Sequence, residues 1–154
     1  MVREHNFTSE GSTGKEFVYD HVFGPKNTTE QVYNKLARPL VEKSIEGFNG
    51  TVFAYGQTSS GKTHTLMGTD DDPGITIRAV QDVFSLISAI PKTEFLVRIS
   101  YIEIYNEEIK DLLEPTKKNG QTQLRIKDDP KRGPTVDGLK EEIVNSPEQV
   151  RGRR

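Results

Sequence analysis

Apolar positions along the chain follow two periods. In "NTTEQVYNKLARPLVEKSIEG" (27–47), Val32, Leu36 and Leu40 recur every four residues, the spacing of one helix face. Thr28 followed by Gln31 fits a capping box, Gly47 supplies a stop, and Pro39 predicts a kink or break inside the pattern. Helical spacing returns at Val80, Val83, Phe84 and Ile87 and closes at Pro91. Asn106 can cap a short helix with Ile109, Leu112 and Leu113 facing inward. "NSPEQV" (145–150) reads as a helix start, with Ser146 as cap and Pro147 at the first helical position. The period-2 and β-branched stretches lie between these. "KEFVYDHVF" (15–23) sets Phe17, Tyr19 and Phe23 on one face, "GTVFAY" (50–55) reads as a buried strand, and "EFLVRISYIEIY" (94–105) is apolar on both faces, as a central strand is. "QLRIKDDPKRGPTVDGL" (123–139) predicts a hairpin with Lys131 and Arg132 at its tip. Residues 1–14 are polar and read as a disordered or looped N-terminus, leaving 15–154 as the folded part. Strands alternate with helices through 50–113, so the expected class is α/β, a sheet flanked by helices.

Composition narrows the function classes. The chain has 154 residues, with 32% hydrophobic and 29% charged, and no apolar run approaches the ~20 residues of a membrane span. No apolar leader stands at the N-terminus, so an intracellular protein without membrane contact is expected. The chain has no cysteine, which excludes disulfides and thiolate chemistry. Net charge is −2, and residues 115–154 carry ten basic against six acidic side chains. That basic excess suits an acidic partner as well as a solvated surface. No aromatics interleave it, so nucleic acid is not expected.

The stretch that carries chemistry is "GQTSSGKT", residues 56–63, a full G-x-x-x-x-G-K-[ST] pattern entered from a strand-like run. A phosphate chain needs several backbone N–H groups aimed at one point. Gly56 and Gly61 let the backbone approach closely, and Gln57, Thr58, Ser59 and Ser60 complete the loop. In this pattern Lys62 reaches the β and γ phosphates, and the Thr63 hydroxyl coordinates Mg²⁺. His64 follows directly and can contact base or ribose. The bland alternative, a Gly/Ser turn with a surface lysine, leaves the preceding "TVFAY" unexplained. Other titratable groups offer less. Asp71-Asp72-Pro73-Gly74 is a formal D-x-x-G with no strand leading into it and reads as an acidic loop, Glu103 reads as structural, and Asp111, Glu114, His5 and His21 have no recommending partners.

"FAYGQTSSGKTHTLMG" (53–68) resembles the phosphate loop of the kinesin motor domain. "SYIEIYNEEIKDLL" (100–113) and "FVYDHVFGP" (17–25) are similar to two further kinesin hallmarks, and the resemblance runs from about Phe17 to the end. "GFNGTVFAYGQ" and "FLVRISYIEIYNE" look most like the centromere-associated mitotic subfamily. The resemblance implies a P-loop NTPase-like kinesin motor fold, with a mixed central sheet flanked by helices, and an ATP-driven microtubule motor. It implies ATP and Mg²⁺ as cofactors, with residues 56–63 on the phosphates and His64 beside the adenine. It also implies microtubules as partner, with contact through Lys131 and Arg132, and a cytoplasmic, cytoskeletal location extending to spindle or kinetochore.

The departures from the family pattern set a second expectation. The chain contains no R-x-R-P first strand, no N-x-x-S-S-R-S-H switch I and no D-x-x-G-x-E switch II, and Ile77 stands where kinesins usually carry proline. The expected domain is therefore incomplete: a phosphate cradle without hydrolytic machinery, so whether the chain is itself an enzyme stays open. The alternatives are a non-hydrolysing nucleotide- or microtubule-binding fragment, an inactive remnant, and a small-molecule phosphotransferase with a generic loop.

Overall fold

The computed structural model describes residues 2–3, 16–114, 124–130 and 133–151. Helix α1 (Thr29–Val32) begins with the expected capping box: Thr28 Oγ1 accepts from Gln31 N at 3.2 Å, and Gln31 Oε1 accepts from Thr28 N at 3.2 Å. One π-helical turn (Tyr33–Ala37) then leads into α2 (Arg38–Ile45). Its cause is Pro39, whose ring collides with the carbonyl four residues back and which offers no N–H. The ladder slips by one residue, so that Arg38 N donates to Tyr33 O instead. The slip also turns the helix. Leu36 and Leu40 of the predicted core stripe are 43% and 40% exposed, whereas Tyr33 and Ala37 are 3% and 1% exposed. Gly47, at φ +101°, ends the unit as its sequence position predicted.

Helix α3 (Lys62–Met67) is short, and α4 (Ile75–Ser88) follows after a tight loop. α4 packs against α2, the π turn and α3. The buried core here is Tyr33, Ala37 and Ile75, with Val32, Leu66 and Ala79 packed around it. Ile77 is also buried. Helix α5 (Pro147–Arg151) lies against α4 and starts at the predicted proline.

The strands pair in four antiparallel ladders of two, and among the described residues these do not join into one sheet. β1 (Val2–Arg3) pairs with β2 (Glu16–Phe17), which is all of the 15–23 stretch that forms a strand. The predicted long strand 94–105 is divided into β3 (Arg98–Ile99) and β4 (Ile102–Tyr105). β4 pairs with β5 (Glu108–Asp111), setting Ile104 opposite Ile109. This corrects the expected helix over 106–113. Asn106 and Glu107 take φ of +47° and +64°, the paired left-handed conformation of a two-residue hairpin turn. β6 (Arg125–Asp129) and β7 (Gly133–Asp137) form the predicted hairpin, and β8 (Glu142–Ile143) pairs with β3. Leu113 and Val144 are buried near these ladders.

Residues 50–55 differ most from expectation. They are extended in sequence character but form no strand, and Phe53 and Tyr55 are 81% and 95% exposed. A strand is stable only when neighbours take up its N–H and C=O groups. Among the described residues none pairs with this segment.

Candidate functional site

The phosphate-loop residues lie between two structural supports. Upstream, residues 50–55 run from the end of α2, with Gly50 close against Leu40. Downstream, α3 begins at Lys62. Between them Ser60 N donates to Gln57 O at 3.2 Å, closing a tight turn, and Ser59 takes φ +64°. Gly61 occupies φ +91°, ψ +10° as the residue preceding α3, a left-handed conformation that costs a residue with a Cβ. Ser60 packs against Gly56, where an added Cβ would come within 2.7 Å of the Ser60 Oγ. The small residues at 56, 60 and 61 are thus each used by the turn.

Lys62 reaches back over the loop. Its Nζ donates to Gly56 O at 2.8 Å and to Gln57 O at 2.6 Å, bringing the cation to the mouth of the turn. Thr65 N returns a helical bond to Gly61 O at 2.9 Å, whereas the N–H groups of Gly61, Lys62 and Thr63 have no backbone acceptor among the described residues. A lysine ammonium, three adjacent backbone donors and hydroxyl-bearing Thr58, Ser59 and Ser60 form a set that suits an anionic oxygen cluster. Thr63 is exposed at the start of α3 and offers one hydroxyl oxygen. That fits Mg²⁺, which takes few protein ligands and fills its octahedron with water and phosphate oxygens. Among the described residues there is no group of three His, Asp or Glu side chains that could hold a metal alone. His64 is exposed on the same helix.

A cavity of about 500 Å³ adjoins the loop, lined by Leu36, Leu40, Val52, Tyr55, Lys62 and Leu66 among others. This is where the displaced stripe of the first helical unit ends up. It faces the phosphate-loop residues across an apolar groove rather than filling a core.

The stretch "GTDDDPG" is more than an exposed loop. Gly68 bridges Pro73, Thr69 N donates to Asp72 O at 2.9 Å, and Gly74 N donates to Met67 O at 3.1 Å. Arg78 fastens it from α4, donating from Nε to Pro73 O at 2.8 Å and from Nη2 to Asp72 Oδ1 at 3.0 Å. Asp71-Asp72-Pro73-Gly74 is therefore a clamp between α3 and α4, and holding α3 is what holds Lys62 and Thr63. This role was not legible beforehand, although two glycines flanking an Asp-Pro turn are its signal. Glu103 pairs across its hairpin with Lys110 at 3.8 Å, in keeping with a structural role. Asp111 accepts from Leu113 N at 2.9 Å and from Lys140 N at 2.8 Å, and so ties two segments together. His21 is exposed, His5 lies outside the described residues, and so do Lys131 and Arg132, the residues expected to meet microtubules.

Residues 2–152 match the kinesin motor domain family. The chain is 59% identical over 129 residues to the kinesin-like protein KIN-7K, chloroplastic, of Oryza sativa subsp. japonica, covering 84% of this chain and 12% of that protein. It is 55% identical over 131 residues to the kinesin-like protein KIN-7D, mitochondrial, of Arabidopsis thaliana, again covering 12% of that protein. A solved structure of KIF14 residues 391–772, described as a dimer in a two-heads-bound state with AMP-PNP in complex with a microtubule, is similar at TM-score 0.76 and 38% identity. The match covers 82% of this chain and 36% of that one. The chain thus spans a minor part of the relatives it matches. The two plant relatives carry the KIN-7 name, and the narrower likeness to centromere-associated mitotic kinesins finds no support among them.

Proposed function

This chain belongs to the kinesin motor domain family, and we propose that it supplies the ATP·Mg²⁺-holding part of a microtubule motor. The observation that carries the reading is the local build of residues 56–63: a left-handed Gly61 opening α3, with Lys62 Nζ drawn over the turn. In this role Lys62 exchanges its two carbonyl contacts for β and γ phosphate oxygens, and the N–H groups of Gly61, Lys62 and Thr63 meet the same oxygens. The Thr63 hydroxyl provides the protein ligand to Mg²⁺, and His64 stands on the nucleoside side. Bound Mg²⁺ would neutralise charge on the phosphates. The similar KIF14 structure holds AMP-PNP and a microtubule, which supports nucleotide and tubulin as the partner classes. Lys131 and Arg132, which follow β6 and precede β7 in sequence, are the proposed tubulin contact, and a microtubule cytoskeletal location follows. Relatives bear chloroplastic and mitochondrial names, and spindle or kinetochore has no comparable support.

A second reading concerns the chain acting alone. Its 154 residues contain neither N-x-x-S-S-R-S-H nor D-x-x-G-x-E, the two motifs that orient the attacking water and sense the γ phosphate in this family. On this reading the chain holds nucleotide without turning it over. Phosphate release with and without microtubules separates the two. Turnover stimulated by microtubules supports a working motor, and saturable nucleotide binding at background turnover supports the holding role. Transfer of phosphate to a small acceptor would contradict both and favour a phosphotransferase.

A further inference from the structure

The phosphate loop is suspended between two flanks that are tied together at one buried point. The upstream flank is the α1–π–α2 unit and the segment 50–55 that runs from it. The downstream flank is α3, clamped to α4 through the Gly68–Gly74 loop. Tyr33 and Ala37 come from the first flank, Leu66 and Ile75 from the second, and they meet in a single cluster. Leu66 lies one helical turn beyond Lys62, so its seat in this cluster sets the position of the α3 start relative to the upstream chain.

Packing alone is non-directional, but polar contacts converging on Asp82 fix the arrangement. Tyr33 Oη donates to Asp82 Oδ2 on α4 at 2.7 Å, and the ring is 3% exposed. Arg38 Nε lies 3.7 Å from the same oxygen and also donates to Glu42 Oε1 at 3.2 Å. Among the described residues, Tyr33–Asp82 is the side-chain hydrogen bond that joins the first helical unit to α4. The π turn makes the link possible, because the slip forced by Pro39 carries Tyr33 inward in place of the predicted stripe.

We infer that Tyr33, through its hydroxyl bond to Asp82, is a positioning residue for the phosphate-binding loop: it holds the two flanks in register so that Lys62 and the backbone donors of residues 61–63 converge. Tyr33 touches no nucleotide in this scheme. The affinity arm of the test rests on the nucleotide-holding role proposed above, and the exchange arm does not.

The experiment uses the full chain and four variants: Tyr33→Phe, Asp82→Ala, their double variant, and Asp82→Asn, whose amide oxygen still accepts from the phenol. Affinity for Mg·ATP is read with a fluorescent ATP analogue, normalised to the folded fraction. Amide exchange is read without nucleotide. A lost hydrogen bond to a charged group predicts a dissociation constant raised by up to about 10- to 150-fold in Tyr33→Phe and Asp82→Ala. Asp82→Ala removes the Tyr33 bond together with the Arg38 contact, so the double variant should be no weaker than Asp82→Ala, and Asp82→Asn should recover most of the affinity. Exchange should quicken in Lys62–Met67 and stay unchanged in the β6–β7 hairpin. Unchanged affinity together with a uniform rise in exchange would overturn the inference and leave Tyr33 a core residue only. If wild type binds no Mg·ATP, the nucleotide role fails by itself, and the localised exchange response still decides for or against Tyr33. If Tyr33→Phe does not fold, Asp82→Asn against Asp82→Ala gives the same decision.

Discussion

Three glycines around the site are required for three different reasons, and replacing each by alanine separates them. Gly61 sits at φ +91°, ψ +10°, and a Cβ built there meets nothing within 4 Å. Its replacement costs only the left-handed backbone, about 1–2 kcal/mol. Gly74 has an ordinary φ of −75°, but its Cβ would lie 2.4 Å from Leu66 O and 2.5 Å from Gly68 N. The cost there is steric, against backbone that cannot rotate away. Gly68 combines both. Its φ of +70° with ψ −158° belongs to a region essentially confined to glycine. Its Cβ would also stand 2.2 Å from Asp72 O and from Gly74 N, well inside the 3.0 Å that real Cβ contacts respect. Relief means opening the clamp and losing its bonds, a loss above about 4 kcal/mol that is diagnostic of such a clash. Urea denaturation of the full chain followed by circular dichroism gives the ranking. With a slope of roughly 1–3 kcal/mol/M, Gly61→Ala lowers the midpoint by roughly 0.3–2 M. Gly74→Ala lowers it further, and Gly68→Ala abolishes the folded baseline or removes exchange protection from α3 and the start of α4. Equal, mild shifts for all three would refute the clamp.

Other consequences follow from single contacts. Burial first, and then the hydrogen bond and charge of Asp82, push the Tyr33 phenol far above its ordinary value. A raised value means that the contribution is complete below about pH 10 and is lost as pH rises further, at up to ~1.4 kcal/mol per pH unit. Subtracting the alkaline stability profile of Tyr33→Phe from that of wild type should isolate this slope, and superimposable profiles would contradict it. Asp111→Ala removes two backbone acceptor contacts and should cost about 1–3 kcal/mol by chemical denaturation, with Asp111→Asn intermediate. The Ser146 hydroxyl, and then the backbone N–H of Glu148, hold the Glu148 carboxyl below the usual glutamate range. Its support of α5 is present at neutral pH and fades as pH falls through that depressed value. Carboxyl NMR titration should find the Glu148 midpoint moving upward in Ser146→Ala and unmoved in a distant control such as Ser88→Ala.

Local signals were legible and pairing was not. Thr28 with Gln31, Gly47, Pro147 and the 123–139 hairpin are read from neighbouring residues, because caps and turns are settled within four positions. The loop 56–63 is likewise a local pattern, and Gly61 and Lys62 take up a left-handed turn and its capping contacts there. Pro39 announced a break but not its form, and the π turn that resulted exchanged one buried face for another. Residues 50–55 and 94–105 carried strand-like side chains, yet whether a strand forms depends on partners distant in sequence. At 106–113 the inward spacing of Ile109, Leu112 and Leu113 imitated a helix. The alternation of Ile102 and Ile104 before an Asn-Glu pair was the competing signal. Tyr33–Asp82 and the Gly68–Gly74 clamp were hidden because contacts between separate elements leave no periodic trace.

The account turns on whether residues 56–63 hold a nucleotide's phosphates. The most direct measurement is calorimetric titration of the full chain, wild type and Lys62→Ala, with Mg·ATP. The account predicts one saturable site in wild type and its loss in Lys62→Ala, with the thermal unfolding temperature of the variant little changed because Lys62 bonds only exposed loop carbonyls. Equal binding by both proteins, or none by folded wild type, would contradict it.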